Sequence, residues 1–382
     1  MNLSRRRFVR TLGITGAGAL IAPAIAARGR EALHAVAAAQ PVPDPTSTSP
    51  IRLDSNENPN GPGAAAMEGI RAAVGETSRY PDRPEDMLQE AVARWHNVPV
   101  EAVVTGCGST EILRMAVHQF TAPDRPLVTA APTFEDPARF AERIGSAVIA
   151  VPVDRNLKLD LDAMGAKAVG AGLLYVCNPN NPTSTVHGAQ QVKELAASVG
   201  AASPGTTILI DEAYFEYVDA IRATSIPLAM GNPRVIVSRT FSKVFGLAGL
   251  RVGYAVGDPT TLRELATRRL PSGVNLLGAA AAIATLSDQA HLENERRLNR
   301  EAKAFALRFF GSAGFTVVPG ETNFIMVDIR RDARQFRAAC RERSVIVGRP
   351  FPPLDTYTRI TIGTMDEMKS AVEVFRQVLE KT

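Results

Sequence analysis

The chain has little from which to build a metal centre or a disulfide framework: its 382 residues include three cysteines, Cys107, Cys177 and Cys340, and five histidines. The cysteines stand far apart without CxxC spacing, and no HxH or HExxH pattern occurs, so no metal site is expected. An odd thiol count leaves at least one cysteine unpaired within the chain, and small buried core residues fit all three best. Long apolar runs are also missing. The uncharged stretch Thr11–Ala27 is rich in Ala and Gly and falls short of the ~20 strongly apolar residues that a membrane span needs.

Acidic residues are absent from the first thirty positions, which hold Arg5, Arg6, Arg7, Arg10, Arg28 and Arg30. Outside them 37 basic residues face 39 acidic ones, so the formal charge of +4 belongs to this leader. The body lacks the basic excess of a nucleic-acid backbone binder, and no nucleic-acid partner is expected. Ser4-Arg5-Arg6-Arg7-Phe8-Val9, the uncharged run and the small residues Ala24–Ala26 together read as an export signal over 1–30, similar to the twin-arginine type that carries folded proteins. A periplasmic or otherwise exported protein is expected, with no stable membrane span in the mature chain, and a cytoplasmic one should the leader not function. Residues 31–50 turn Ala-rich and then Pro/Ser/Thr-rich, a flexible spacer.

The body alternates short β-branched runs with longer helical patterns. Strands are expected at RPLVTA (125–130), SAVIAVPV (146–153), GLLYVC (172–177), TTILID (206–211), RVIVSRT (234–240) and VGYAVG (252–257). Helices are expected over 109–120, 137–144, 190–199 and 259–269. Repeated βα units predict an α/β fold with a mainly parallel sheet between helices and ligands at the carboxyl ends of its strands. A long helical pattern from 293 to 310 then leads to NFIMVDI (323–329), VIVG (345–348) and TRITIG (358–363), a smaller α+β domain.

Polar residues fall on this frame with a spacing that carries chemistry. Asn181 follows one strand, Asp211 ends the next, and Lys243 follows the third, about one βα unit apart each time. An amide, a carboxylate and an amine should therefore reach one sheet edge, where CGSTE (107–111) opens a helix and Arg251 lies close by. Such an edge suits a phosphate and a carbonyl compound.

Nine stretches in register, among them LDSNENPNGP (53–62), RYPD (79–82), CNPNNPT (177–183), DEAYFEY (211–217), SRTFSKVFGLAGLRVGY (238–254) and RITIGT (359–364), resemble the fold-type I pyridoxal-phosphate (PLP) aminotransferases of class I/II, nearest their histidinol-phosphate branch. The resemblance spans about residues 50 to 380 and implies an arm over 51–84, a large PLP-binding domain over 85–290 with a seven-stranded-type sheet, and a small domain over 291–382. It implies that Lys243 joins the PLP aldehyde carbon as a Schiff base and then shuttles protons, and that Asp211 keeps the pyridine ring cationic. Tyr214 and Asn181 correspond to donors on the ring oxygen, and Phe134 to the aromatic stacked on the ring face. Ser109, Thr110, Thr240, Ser242 and Arg251 correspond to the phosphate site, which Tyr80 of a neighbouring subunit would reach in a homodimer. Arg359, with Arg349 as a second candidate, matches the grip on the substrate anion. Asn60 stands where that branch carries a substrate-holding Tyr, and Ser184 where its turn carries Gly.

The implied activity is a ping-pong transfer of an amino group between an amino acid or amino alcohol phosphate and a 2-oxo acid. Two other readings remain open at this point: a PLP decarboxylase or lyase similar to threonine-phosphate decarboxylase, and a PLP- or amino-acid-binding protein without turnover.

Overall fold

The computed structural model describes residues 49–218 and 224–380. The expected leader and all but the end of the spacer lie outside the described residues. Among those described, no helix is long and apolar enough to cross a membrane.

The elements of the first half are β1 (Ile51–Leu53), α1 (Ala64–Ala73), α2 (Asp82–His96), β2 (Val103–Cys107), α3 (Gly108–Phe120), β3 (Leu127–Ala131), α4 (Asp136–Arg143), β4 (Val148–Pro152), α5 (Leu161–Lys167), β5 (Leu173–Cys177) and α6 (Ala189–Ala202). Then come β6 (Thr207–Asp211), α7 (Ile226–Gly231), β7 (Val235–Thr240), β8 (Val252–Gly257), α8 (Pro259–Ala266), α9 (Leu276–Leu286), α10 (Gln289–Ser312), β9 (Thr316–Val317), β10 (Phe324–Asp328), α11 (Ala333–Arg341), β11 (Val345–Val347), β12 (Tyr357–Thr361) and α12 (Met365–Glu380).

Seven strands form the main sheet in the order β2-β8-β7-β6-β5-β3-β4. β8 runs antiparallel to both its neighbours and the other pairs are parallel. Strands β5, β6 and β7 are buried along their whole length, as unbroken apolar sequences such as LLYVC require when helices cover both faces. The expected strands all form, with bounds that differ by no more than two residues at either end. β2 was not anticipated: VVTGC is short, contains a glycine, and gains its place only through the antiparallel pairing with β8.

Local chemistry fixes the helix starts. Asp160, Asp258, Asn275 and Asp332 each accept a backbone N–H from the first turn of α5, α8, α9 and α11. α2 stops at Asn97, which takes the left-handed φ of 53° that Asn tolerates.

Beyond the main sheet, β12, β10 and β9 form an antiparallel three-stranded sheet, and β1 pairs in parallel with β11 across nearly 300 positions of sequence. A second apolar core, built on Phe310, Phe336 and Phe375, covers these strands. Ser184 keeps a left-handed φ of 66° without being glycine, and its hydroxyl is tied to Thr322 Oγ1 at 2.7 Å.

Below the ends of β6 and β7, Arg239 is buried against Glu212 Oε2, with Nη2 at 2.7 Å and Nε at 3.0 Å, and reaches Glu216 at 3.3 Å. This pair anchors the two chain segments that carry Asp211 and Lys243. Arg239→Gln leaves Glu212 charged, buried and short of a partner. It should destabilise the protein by about 3–5 kcal/mol in urea titration, and a loss under about 1 kcal/mol would contradict this account.

Candidate active site

Register brings the functional residues together. Cys177 of β5 lies beside Asp211 of β6, and Asp211 beside Ser238 of β7. The loops leaving β5 and β7 carry Asn181 and Lys243 to the same edge. There a cavity of about 700 Å³ is lined by Ser109, Thr110, Phe134, Asn181, Asp211, Tyr214, Thr240, Ser242, Lys243, Arg251, Arg349 and Arg359.

Asp211 is buried, and its Oδ2 accepts a 2.9 Å hydrogen bond from the Tyr175 hydroxyl while Oδ1 has no partner among the described residues. Burial raises its pKa to about 6, opposed by the Tyr175 bond, the Ala213 amide and Lys243. One oxygen is thus held and the other is left for a ligand. The Lys243 side chain also forms no hydrogen bond among the described residues, and its Nζ lies 5.5 Å from the centre of the Tyr214 ring. Burial, then Arg359, then more weakly Arg251 lower its pKa to about 8, against the pull of Glu57 and Asp211. A nucleophilic amine is the result. Arg359 outweighs Arg251, the neighbour that sequence position suggests.

The phosphate-type end is built from backbone and hydroxyls. α3 opens at Gly108 with φ of 72°, and a Cβ there would collide with Arg251. A Cβ at Gly253 would strike the Ser109 amide. These two glycines let a helix N-terminus and a guanidinium meet at close quarters. Arg251 Nη1 donates to Ser242 Oγ at 3.3 Å and to Ala248 O at 3.0 Å and has no carboxylate partner among the described residues. Thr240 Oγ1 donates to Ser242 Oγ at 2.9 Å.

Across the cavity, the Tyr214 hydroxyl accepts from Asn56 Nδ2 at 3.0 Å and from Asn181 Nδ2 at 3.4 Å, which leaves its own proton free to donate. Burial holds that phenol well above its ordinary pKa, so it stays protonated. Arg359 is buried; Nη1 donates to Asn181 Oδ1 at 2.7 Å, Nη2 donates to the Asp54 carbonyl, and Nε has no partner. Arg349 sits at the mouth with Nη2 2.7 Å from Glu135 Oε1.

Two expected site residues lie elsewhere in the chain's own structure. Asn60 donates to Glu295 Oε2 at 2.7 Å, outside the cavity lining. Tyr80 is 85% exposed and contributes nothing to the cavity of its own chain. Sequence reasoning also missed residues that matter: Asn56 and Tyr175, which set Tyr214 and Asp211, and Arg337, Arg139 and Glu135 in the cavity wall. Asn56 lies within the LDSNENPNGP stretch and takes a left-handed φ of 55°, a signal that position alone does not give. Among the described residues no cluster of three His, Cys, Asp or Glu is arranged to hold a metal.

The groups present fit pyridoxal phosphate. Asp211 offers an unpaired buried oxygen for a cationic ring nitrogen, Lys243 an amine of lowered pKa for the aldehyde, and the glycine-lined helix start with Arg251 a place for the phosphate.

Comparisons with known proteins agree. The chain is similar to the histidinol-phosphate aminotransferase of Moorella thermoacetica, 39% identical over 86% of this chain and 85% of that protein. It is likewise similar to that of Symbiobacterium thermophilum, at 37% over 86% and 90%. The solved histidinol-phosphate aminotransferase of Sinorhizobium meliloti in complex with pyridoxal-5'-phosphate superposes with a TM-score of 0.80 at 29% identity, covering 86% of this chain and 91% of that one. The pattern of the family described as aminotransferase class I and II matches residues 48–375, and the chain therefore belongs to that family, with PLP as its cofactor.

Proposed function

We propose that this aminotransferase moves an amino group between an amino acid, or an amino alcohol phosphate of the histidinol-phosphate kind, and a 2-oxo acid in two half-reactions. The observation that carries the reading is one cavity in which the Lys243 amine, the half-satisfied Asp211 carboxylate and the buried Arg359 guanidinium converge. When bound, PLP supplies a ring that draws electrons from the substrate carbon next to nitrogen. The chain does the rest. Asp211 Oδ1 would hold the ring nitrogen positive, Arg251 and the start of α3 would fix the phosphate, and Arg359 would orient the substrate's anionic group. Lys243 Nζ would take a proton from the substrate carbon and return it elsewhere.

Histidinol phosphate is named by relatives in the 37–39% identity range, which supports that substrate class here. Purified protein should consume histidinol phosphate with 2-oxoglutarate as acceptor, and Lys243→Ala should cut turnover at least roughly 100-fold while removing the borohydride-trapped label from position 243. Carbon dioxide release without amino transfer would replace this reading with a decarboxylase, and a label retained elsewhere would displace Lys243.

Asp211 has a folded pKa raised to about 6 from an ordinary 3.8, so the stability it allows is whole below about 3.8 and is lost as pH rises through 6. Without cofactor, Asp211→Asn should therefore be more stable than the wild type at pH 8, by up to about 3 kcal/mol, and the gap should close toward pH 4. Equal stability at pH 8 would show that the buried charge costs nothing.

The leader's twin-arginine pattern supports export, and exposed Tyr80, Val74 and Met87 along the α1–α2 stretch support pairing of two copies. The processed chain should fractionate outside the cytoplasm and run in solution at twice its monomer mass. An intact leader found only in cytoplasm, or a monomer, would refute the respective proposal.

A further inference from the structure

Val244 follows Lys243 in a turn that belongs to no helix or strand, and it is fully buried, so its carbonyl needs a partner from elsewhere. That partner is Asn58, whose Nδ2 donates to Val244 O at 2.8 Å across 186 positions of sequence. The same Nδ2 donates to Glu295 Oε2 at 3.0 Å, and Asn58 Oδ1 accepts from the Asn60 backbone N–H at 2.9 Å. Both hydrogens and the oxygen of one amide are thereby committed. One of its acceptors is a carboxylate, which makes a stronger and better oriented hydrogen bond than a neutral group would.

Glu295 stands on α10 and is itself buried. Its Oε2 also accepts from Asn60 Nδ2 at 2.7 Å, and its Oε1 lies 3.9 Å from His291 Nδ1. Position 60, where the similar branch carries Tyr, thus supplies this carboxylate with a second amide. Neither Glu295 nor Asn58 lines the large cavity. The arm nevertheless meets the lysine loop closely: a Cβ at Gly246, whose φ is 72°, would strike the Gly61 carbonyl, and the Gly246 N–H donates to Lys243 O at 3.0 Å. Just before β10, Asn323 Nδ2 holds the carbonyls of Asn56 and Glu57 at 3.0 and 3.2 Å. Residues 56–60 are gripped by Asn323 and Glu295, and they reach the site through Asn56 on Tyr214 and Asn58 on Val244.

We propose that Glu295 is a positioning residue: by holding Asn58 it fixes the backbone directly after Lys243 and so aims the amine at the aldehyde carbon of the cofactor. This rests on the PLP reading of the site. The step it serves is addition of the Lys243 amine to that carbon with loss of water, and a displacement of the amine by about an ångström slows such a step steeply.

The test uses the full chain stripped of PLP and remixed with it, capture being followed by stopped-flow absorbance of the visible band and located by borohydride trapping. Asn58→Ala should slow capture roughly 10-fold or more. Asn60→Ala removes a bond to the same carboxylate but keeps the Val244 link, and should slow capture by less than about 3-fold at a comparable cost in urea stability. Glu295→Leu should match Asn58→Ala, and Glu295→Gln, which keeps one acceptor oxygen, should restore most of the rate. Combining Asn58→Ala with Glu295→Leu should slow capture no further than the worse single variant. Should Glu295→Leu fail to fold, the comparison of Asn58→Ala with Asn60→Ala decides alone. Equal slowing in those two, or slowing that merely tracks urea stability across the variants, would overturn this proposal while leaving the label of the wild type at Lys243. A wild type without label at Lys243 would overturn it together with the PLP reading.

Discussion

A carboxylate buried at the end of a parallel strand, with one oxygen satisfied and the other left empty, is the constraint on which the site depends. Ionised Asp211 is costly in isolation, and the bond from Tyr175, with the Ala213 amide and Lys243, lowers that cost without removing it. A fold that needed only stability would place an apolar residue there. The unpaired oxygen is open to a cation, and on the proposed reading the ring nitrogen of PLP would be that cation. Lys243 carries the same imbalance with opposite sign: an amine taken out of water beside two arginines, its pKa lowered to about 8 so that a larger share is unprotonated and able to react. Both groups are unfavourable alone and complementary to one cofactor.

The sheet makes this economy possible. Strands β5, β6 and β7 pair in register, so consecutive βα units end at one edge and deliver Asn181, Asp211 and Lys243 within one cavity. The buried Arg239–Glu212 pair lies just past that edge and fixes the two middle strand ends without entering the chemistry. Asp211 sits on a strand end and Asn181 and Lys243 follow directly in the loops leaving theirs, so residues placed by sheet register stand apart from those that distant segments bring in.

That division explains what could be read in advance. Lys243, Asp211 and Asn181 were legible because periodic βα spacing converts sequence distance into spatial proximity. The phosphate end was legible because small residues at a helix start have a specific physical use. Asn56 and Tyr175 were not, since each acts by touching another site residue: Asn56 meets Tyr214 across 158 positions and Thr361 across 305. No local pattern encodes such a meeting. Arg337 was hidden for another reason, because an arginine on an amphipathic helix reads as a solvated residue until β11 shows which way its end of the helix faces. The leader spoke through composition alone, and β2 escaped notice because its stability comes from β8 rather than from its own residues.

The departures from the family pattern fall where this division predicts. Ser184 replaces a glycine yet keeps the left-handed backbone, because its hydroxyl gains a buried partner in Thr322 that offsets the strain. The loop therefore holds its shape, and Asn181, three residues earlier, still reaches both Tyr214 and Arg359. Asn60, by contrast, turns away to Glu295 and withdraws a side chain from the substrate end. On the proposed reading the cofactor would be held at the sheet edge, while Arg337, Arg349 and Glu135 line the outer part of the same cavity.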